Sequence, residues 1–176
     1  MSVDREAFDA AFAAHKESSK SVESAKSGLA DDSWESTRYH TATHLLHAAL
    51  RQTLGTHVAQ KGSNITSERM RFDFSHGQAM SKEEVKIVED QVNKWVAEGA
   101  QVEQMTMSAD EARDMGAIGL FTDKYEDVVS VYKIGDYSLE FCGGPHVGNT
   151  SEIGAFKIKK EQSSSAGVRR IRAVVS

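Results

Sequence analysis

Cysteine occurs once in these 176 residues, and so does proline. A single cysteine excludes an internal disulfide framework and leaves Cys142 as a buried apolar residue, a reactive thiol or a metal ligand. It also excludes the paired-cysteine zinc site of nucleobase deaminases. No apolar run approaches the roughly 20 residues that a membrane-spanning helix needs. The polar start, Met1-Ser2-Val3-Asp4-Arg5, lacks the apolar centre of a secretory signal, so a cytosolic protein without membrane contact is expected. No phosphate-cradling Walker loop or dinucleotide fingerprint is present, which removes support for ATP hydrolysis and hydride transfer. Basic charge is scarce overall: the formal net charge is -5, which argues against general nucleic-acid affinity. What there is gathers at the end, where Lys157, Lys159, Lys160, Arg169, Arg170 and Arg172 stand against one acid, Glu161. Such a local surface suits a partner that touches it at one face, or is simply a solvated strand face.

The patterning that is present reads as α+β, with helices packed on a mostly antiparallel β-sheet and an N-terminal helix and linker ahead of them. Residues 4–19 place Phe8, Ala11 and Phe12 on one helical stripe, and the Ser-, Gly- and Asp-rich run from Ser18 to Ser33 reads as a connector. This divides the chain into residues 1–36, helix and connector, and residues 37–176, the main domain. Thr37 to Leu54 gives the strongest helical pattern, with Gly55 placed to end it. A short strand is expected over His57 to Lys61 with a turn at Gly62, and another over Met70 to Phe74. Ser81 and Ser108 each open a capping box, the second ahead of a short helix that stops near Gly116. Val102 to Thr106 reads as a strand, and Gly135-Asp136 joins Val128–Ile134 to Tyr137–Cys142 as a hairpin. Ala155 to Lys160 and Val168 to Val175 are two further strands around a flexible Ser163–Gly167 loop.

Two stretches carry the chemistry. In His40-Thr41-Ala42-Thr43-His44 a helix would put two imidazoles one above the other. Cys142-Gly143-Gly144-Pro145-His146 adds a thiolate and a third imidazole, its paired glycines letting the backbone turn tightly. Together they make a plausible tetrahedral zinc set if the two pentads meet in space. His47 shares much of the same helix side, so it either replaces one of the pair or caps the packing. A zinc peptidase of the His-Glu-x-x-His type is excluded, because Thr41 stands where its glutamate would be.

The segments His40-Thr-Ala-Thr-His44-Leu-Leu-His-Ala-Ala-Leu-Arg51, His57-Val-Ala-Gln-Lys-Gly-Ser63, Arg71-Phe-Asp-Phe-Ser75, Cys142-Gly-Gly-Pro-His146-Val and Gly167-Val-Arg-Arg-Ile171 together resemble the editing domain of alanyl-tRNA synthetases. The resemblance runs from about Thr37 to the end. It implies a zinc-dependent deacylase that hydrolyses wrongly attached serine, and also glycine, from the alanine tRNA. Its implied metal ligands are His40, His44, Cys142 and His146, with Gln60 contributing to deacylation. Arg169 and Arg170 would contact tRNA phosphates, and Thr43, Gly62, Arg71, Asp73 and Glu140 would line the substrate pocket. Pro145 stands where alanyl members commonly have threonine, and Glu140 falls where the threonyl-type site has an acid. Threonyl-type editing therefore remains an alternative, as does a tRNA-binding module with structural zinc. No aminoacylation domain fits in the first 36 residues, so other synthetase domains are possible partners.

Overall fold

The computed structural model describes residues 31, 33–119 and 128–176. The expected helix over residues 4–19 and most of its connector lie outside them. The first described helix, α1 (Trp34–Leu54), starts one turn earlier than its apolar pattern suggests, because Ser33 caps it: the Ser33 hydroxyl accepts from the Ser36 N–H. Gly55, at φ 124°, ends it. Strands β1 (Gln60–Ile65) and β2 (Met70–Ser75) follow, then α2 (Lys82–Glu98), β3 (Val102–Met107) and α3 (Ala109–Asp114). The hairpin β4 (Val129–Ile134) and β5 (Ser138–Phe141) leads through a short 3-10 turn (Thr150–Glu152) to β6 (Phe156–Ser165) and β7 (Val168–Val175). Both expected capping boxes are formed, at Ser81 with Glu84 and at Ser108 with Glu111.

The strands form two antiparallel sheets, one ordered β1-β2-β7-β6 and the other β3-β4-β5. Four sequence expectations are corrected. The strand expected over His57–Lys61 starts only at Gln60 and runs on to Ile65. Tyr137 lies in the turn and not in a strand, so the hairpin connection is three residues, Gly135 to Tyr137. Gly62 is not a turn but lies inside β1, at a bulge between Gln60 and Gly62 opposite β2. The Ser163–Gly167 segment is not a loop: β6 runs through Ser165 and only a tight turn at Ala166-Gly167 remains. Polar serines hide a strand that is held to β7 by its backbone ladder, and side-chain pattern does not report this.

α1 packs against α2, against β1, β2 and β7 of the larger sheet, and against β5 of the smaller. Tyr39 to His47 are buried without a break, more than two turns, so the helix is enclosed on every side. Its apolar residues, Ala42, Leu45, Leu46, Ala49 and Leu50, join Phe72, Phe74, Val88, Val92 and Ile171 in one core. Enclosure makes its polar residues expensive: an unpaired buried hydroxyl or amide costs about 1–3 kcal/mol. Three histidines and two threonines in this run must therefore find partners inside the protein. A second, smaller cluster holds α3 on the other sheet through Ala112, Ala117 and Val131.

Candidate metal centre

Helical spacing stacks His40 and His44 on the side of α1 that meets the end of β5. Cys142 follows that strand directly, its N–H bonded to Ser130 O on β4. The chain then returns to α1, where Val147 N–H bonds the Thr41 hydroxyl at 3.1 Å. This clamp brings His146 over the helix. The candidate donor atoms of His40, His44, Cys142 and His146 all lie within 4.8 Å of one another. Cys142 Sγ is 3.3 Å from His40 Nε2 and 3.4 Å from His146 Nε2.

The outer ring nitrogens decide which face each imidazole presents. His40 Nδ1 lies 2.9 Å from Pro145 O, which only accepts, so the proton sits on Nδ1 and Nε2 offers a lone pair. The Thr41 hydroxyl donates to Thr37 O and so must accept from His146 Nδ1 at 2.9 Å, freeing His146 Nε2 in the same way. His44 Nδ1 lies 2.5 Å from Glu140 Oε2, an ion-pair contact outside hydrogen-bond geometry, and its other nitrogen is left for the cluster. Each histidine is thus backed by a polar partner, the arrangement that orients metal-binding imidazoles and raises their basicity.

The electrostatics favour a thiolate and one neutral imidazole, and a charge on His44. Burial alone would raise the Cys142 thiol, but its close contacts with His40 and His44, with the charge on His44, bring it down to about 6. Burial opposes a charge on His44, yet the Glu140 carboxylate, helped by Cys142, pushes it up to about 10. Burial would also raise Glu140, and His44 and His47 outweigh it and hold the carboxyl well below the usual range. Burial, reinforced by His44 and His40, keeps His146 far below an ordinary histidine. Cys142 and His146 are thus held as thiolate and neutral imidazole, the states a metal ligand needs, whereas His44 without an ion carries a proton that it must give up to bind one.

This donor set fits zinc. Bond lengths of about 2.0–2.1 Å to nitrogen and 2.3 Å to sulfur give tetrahedral edges of roughly 3.3–3.6 Å, and the Cys142 contacts already have that span. One soft thiolate with three imidazoles is a set that zinc accepts and hard cations do not.

The other sequence-predicted residues divide between places. Glu140 joins the centre from β5. Thr43 turns toward β2, its hydroxyl donating to Tyr39 O and lying 3.8 Å from Met70 Sδ. By register, Gln60 and Ser63 share the inner sheet face with Phe74 and Phe72, and Gln60 Nε2 donates to Ser63 Oγ. Gly62, Arg71, Asp73 and Arg170 fall on the opposite, outer face, away from α1. There Arg170 binds Asp73 with two hydrogen bonds, Nε to Oδ1 at 2.8 Å and Nη2 to Oδ2 at 3.1 Å. Arg169 faces inward and is paired with Glu161 at 2.5 Å.

His47 is not a member of the donor cluster. Its Nδ1 meets Glu140 Oε1 at 2.6 Å, so one buried carboxylate spans two histidines. Thr41, the backbone of Pro145 and the supporting role of His47 escaped the sequence reading. The one signal for Thr41 was its position between two candidate ligands on an enclosed helix. A surface cavity of about 450 Å³, lined in part by Arg51, Lys133 and Tyr137, lies at the other end of β5 and shares no lining residue with the donor cluster.

Fold and site therefore define an α+β domain whose central helix and a strand-end loop build a buried histidine and cysteine centre. Residues 129–172 match the family model described as the threonyl and alanyl tRNA synthetase second additional domain. The chain is 58% identical over 177 residues to an alanine–tRNA ligase of Treponema denticola, covering 99% of this chain and 30% of that protein. It is 53% identical over 177 residues to the ligase of Borreliella burgdorferi, with the same two shares. With the ligase of Acetivibrio thermocellus it shares 56% over 137 residues, covering 78% of this chain and 16% of that protein. The chain thus spans about 30% of the length of the first two relatives. Over nearly its whole length the chain is similar to one segment of alanine–tRNA ligases, and residues 129–172 carry the match to the synthetase second additional domain.

Proposed function

We propose that this domain hydrolyses the ester of a wrongly attached amino acid on the alanine tRNA, chiefly serine and also glycine. Residues 37–176 form the working unit. The observation that supports this reading most is the convergence of three imidazoles and one thiolate, each imidazole backed by its own polar partner, inside a synthetase-type domain. An alanine-selecting site has a physical need for such a sieve. A hydrophobic pocket discriminates only weakly against a ligand that adds one hydroxyl, and glycine is merely smaller.

His40, His44, Cys142 and His146 would hold a zinc ion. When bound it supplies a fixed positive charge that polarises or anchors the aminoacyl ester. Glu140 is spent on His44 and His47, so it positions ligands and is not free to take a proton from water. Gln60 donates to Ser63 and keeps its amide oxygen free among the described residues, which suits it to orient water or the ester. No described helix is long and apolar enough to cross a membrane, and action on tRNA places the domain in the cytosol.

The test is deacylation of seryl-tRNA(Ala), glycyl-tRNA(Ala) and alanyl-tRNA(Ala) by the zinc-loaded chain. Loss of serine and glycine with alanine retained is the expected result, and hydrolysis of none of the three at high protein concentration would refute it. Pro145 and the buried Glu140 favour a threonyl-type reading, so seryl-tRNA(Thr) belongs in the same assay. Preferential hydrolysis of that substrate would establish the alternative.

A further inference from the structure

The outer face of the larger sheet carries a pattern that the metal centre does not use. Strand register sets Asn64, Arg71, Arg172 and Lys160 opposite one another in a single row across β1, β2, β7 and β6. Neighbouring strands lie about 4.8 Å apart, so the row puts three cations side by side. Like charges directly opposed across strands destabilise a sheet, and no acid in that row offsets them. The adjacent row, Gly62, Asp73, Arg170 and Gln162, contains one acid, which Arg170 binds with two hydrogen bonds and Arg71 approaches at 3.6 Å, so Arg172 and Lys160 are the cations left without an acid. Arg172 and Lys160 are exposed and have no ion-pair partner among the described residues. On a protein of net charge -5, this concentration of uncompensated positive charge on one sheet face is a local exception.

We propose that this face docks the phosphate backbone of the tRNA, with Arg71, Arg172 and Lys160 as its contacts. A protein partner is disfavoured by the chemistry of the rows. Interface cores are depleted of charge and rich in apolar and aromatic groups, whereas these rows hold no apolar side chain. Guanidinium groups match phosphate geometry, and a row of cations gains most from displacing the counterions of a polyanion. The rows also end at β1, an edge strand. There Gly62 offers no side chain on the outer face, while Gln60, two residues earlier, belongs to the inner face. A flexible RNA end crossing this edge passes from the docking rows toward the α1 side of the sheet.

The inference rests on the editing reading only in naming the RNA as tRNA. The experiment measures binding of uncharged tRNA to the full zinc-loaded chain at several salt concentrations. Lys160→Ala combined with Arg172→Ala is expected to weaken binding about tenfold and to reduce the slope of log K against log salt by about 1 to 2. The charge-preserving pair Lys160→Arg with Arg172→Lys is expected to stay near the wild-type slope, which separates charge from misfolding. An affinity and slope unmoved by the alanine pair would overturn the proposal. Wild-type hydrolysis of a seryl-adenosine ester, which has no phosphate backbone, reports on the metal centre separately. A chain that cleaves this ester but ignores the alanine pair refutes the docking face alone. A chain that loses tRNA affinity with the alanine pair while the wild type cleaves no aminoacyl ester supports the face and refutes the editing reading.

Discussion

Glu140 and His47, 93 residues apart in sequence, meet at 2.6 Å beside the candidate metal centre, and the other oxygen of the same carboxylate faces His44. One buried acid on β5 thereby fixes two histidines of α1. It ties the smaller sheet to the central helix at the point where the ligands converge.

Replacing this carboxylate tests its role in orientation. Glu140→Gln keeps the volume but removes the charge that holds the ring of His44. Zinc affinity, measured by competition with a chromophoric chelator, is expected to fall by about 10- to 100-fold, the usual consequence of losing a partner behind a ligand. The far-ultraviolet circular dichroism should be kept. Unchanged affinity would mean that His44 is oriented by packing alone.

Thr41 makes three bonds with one hydroxyl, to Thr37 O, Val147 N–H and His146 Nδ1. Thr41→Val removes all three at constant shape and leaves a buried N–H without an acceptor. A stability loss of about 1–3 kcal/mol is expected from that penalty, together with weaker zinc binding. Thr41→Ser should restore most of both, and denaturant titration beside metal competition distinguishes the two effects.

The apolar core that joins Leu45, Leu46, Phe72, Phe74, Val88 and Ile171 is built from side chains that touch one another without an ion. Chelation of zinc, or Cys142→Ala, is therefore expected to leave the secondary structure intact while lowering Tm. At zinc concentrations a hundred times Kd the linkage is worth about 2.7 kcal/mol, or roughly 5–10 °C for a domain of this size. Collapse of the circular dichroism spectrum on chelation would show instead that the ion is needed for folding.

The pair across β2 and β7 is asymmetric. Asp73 is 7% exposed, while the Arg170 side chain is 24% exposed. Arg170→Ala strands a buried carboxylate with Arg71 3.6 Å away as its nearest cation, whereas Asp73→Asn leaves guanidinium groups that reach water. The first substitution should lower Tm more than the second. The opposite order would show that the arginine is held by solvent rather than by Asp73.

Much of the scaffold could be read because it rests on local rules. The two capping boxes, the Gly55 stop and the existence of a hairpin at Gly135, though not its three-residue length, each need only a few neighbouring residues. The extension of β6 through three serines could not be read, since its pairing partner is another strand and its side chains are exposed. Gly62 misled for a similar reason: glycine marks turns and bulges alike, and only the partner strand shows which.

By itself, the sequence picked out the four residues that cluster and the helix that stacks two of them, because a four-residue spacing on a helix fixes direction. It also determined that positive charge would gather late in the chain. Tertiary structure alone decided the rest. Glu140 serves two histidines because β5 happens to end against α1, and Arg169 and Arg170 part to opposite faces because adjacent residues of a strand must. Arg172 and Lys160 become neighbours only through strand register, a relation between distant segments that no local pattern encodes.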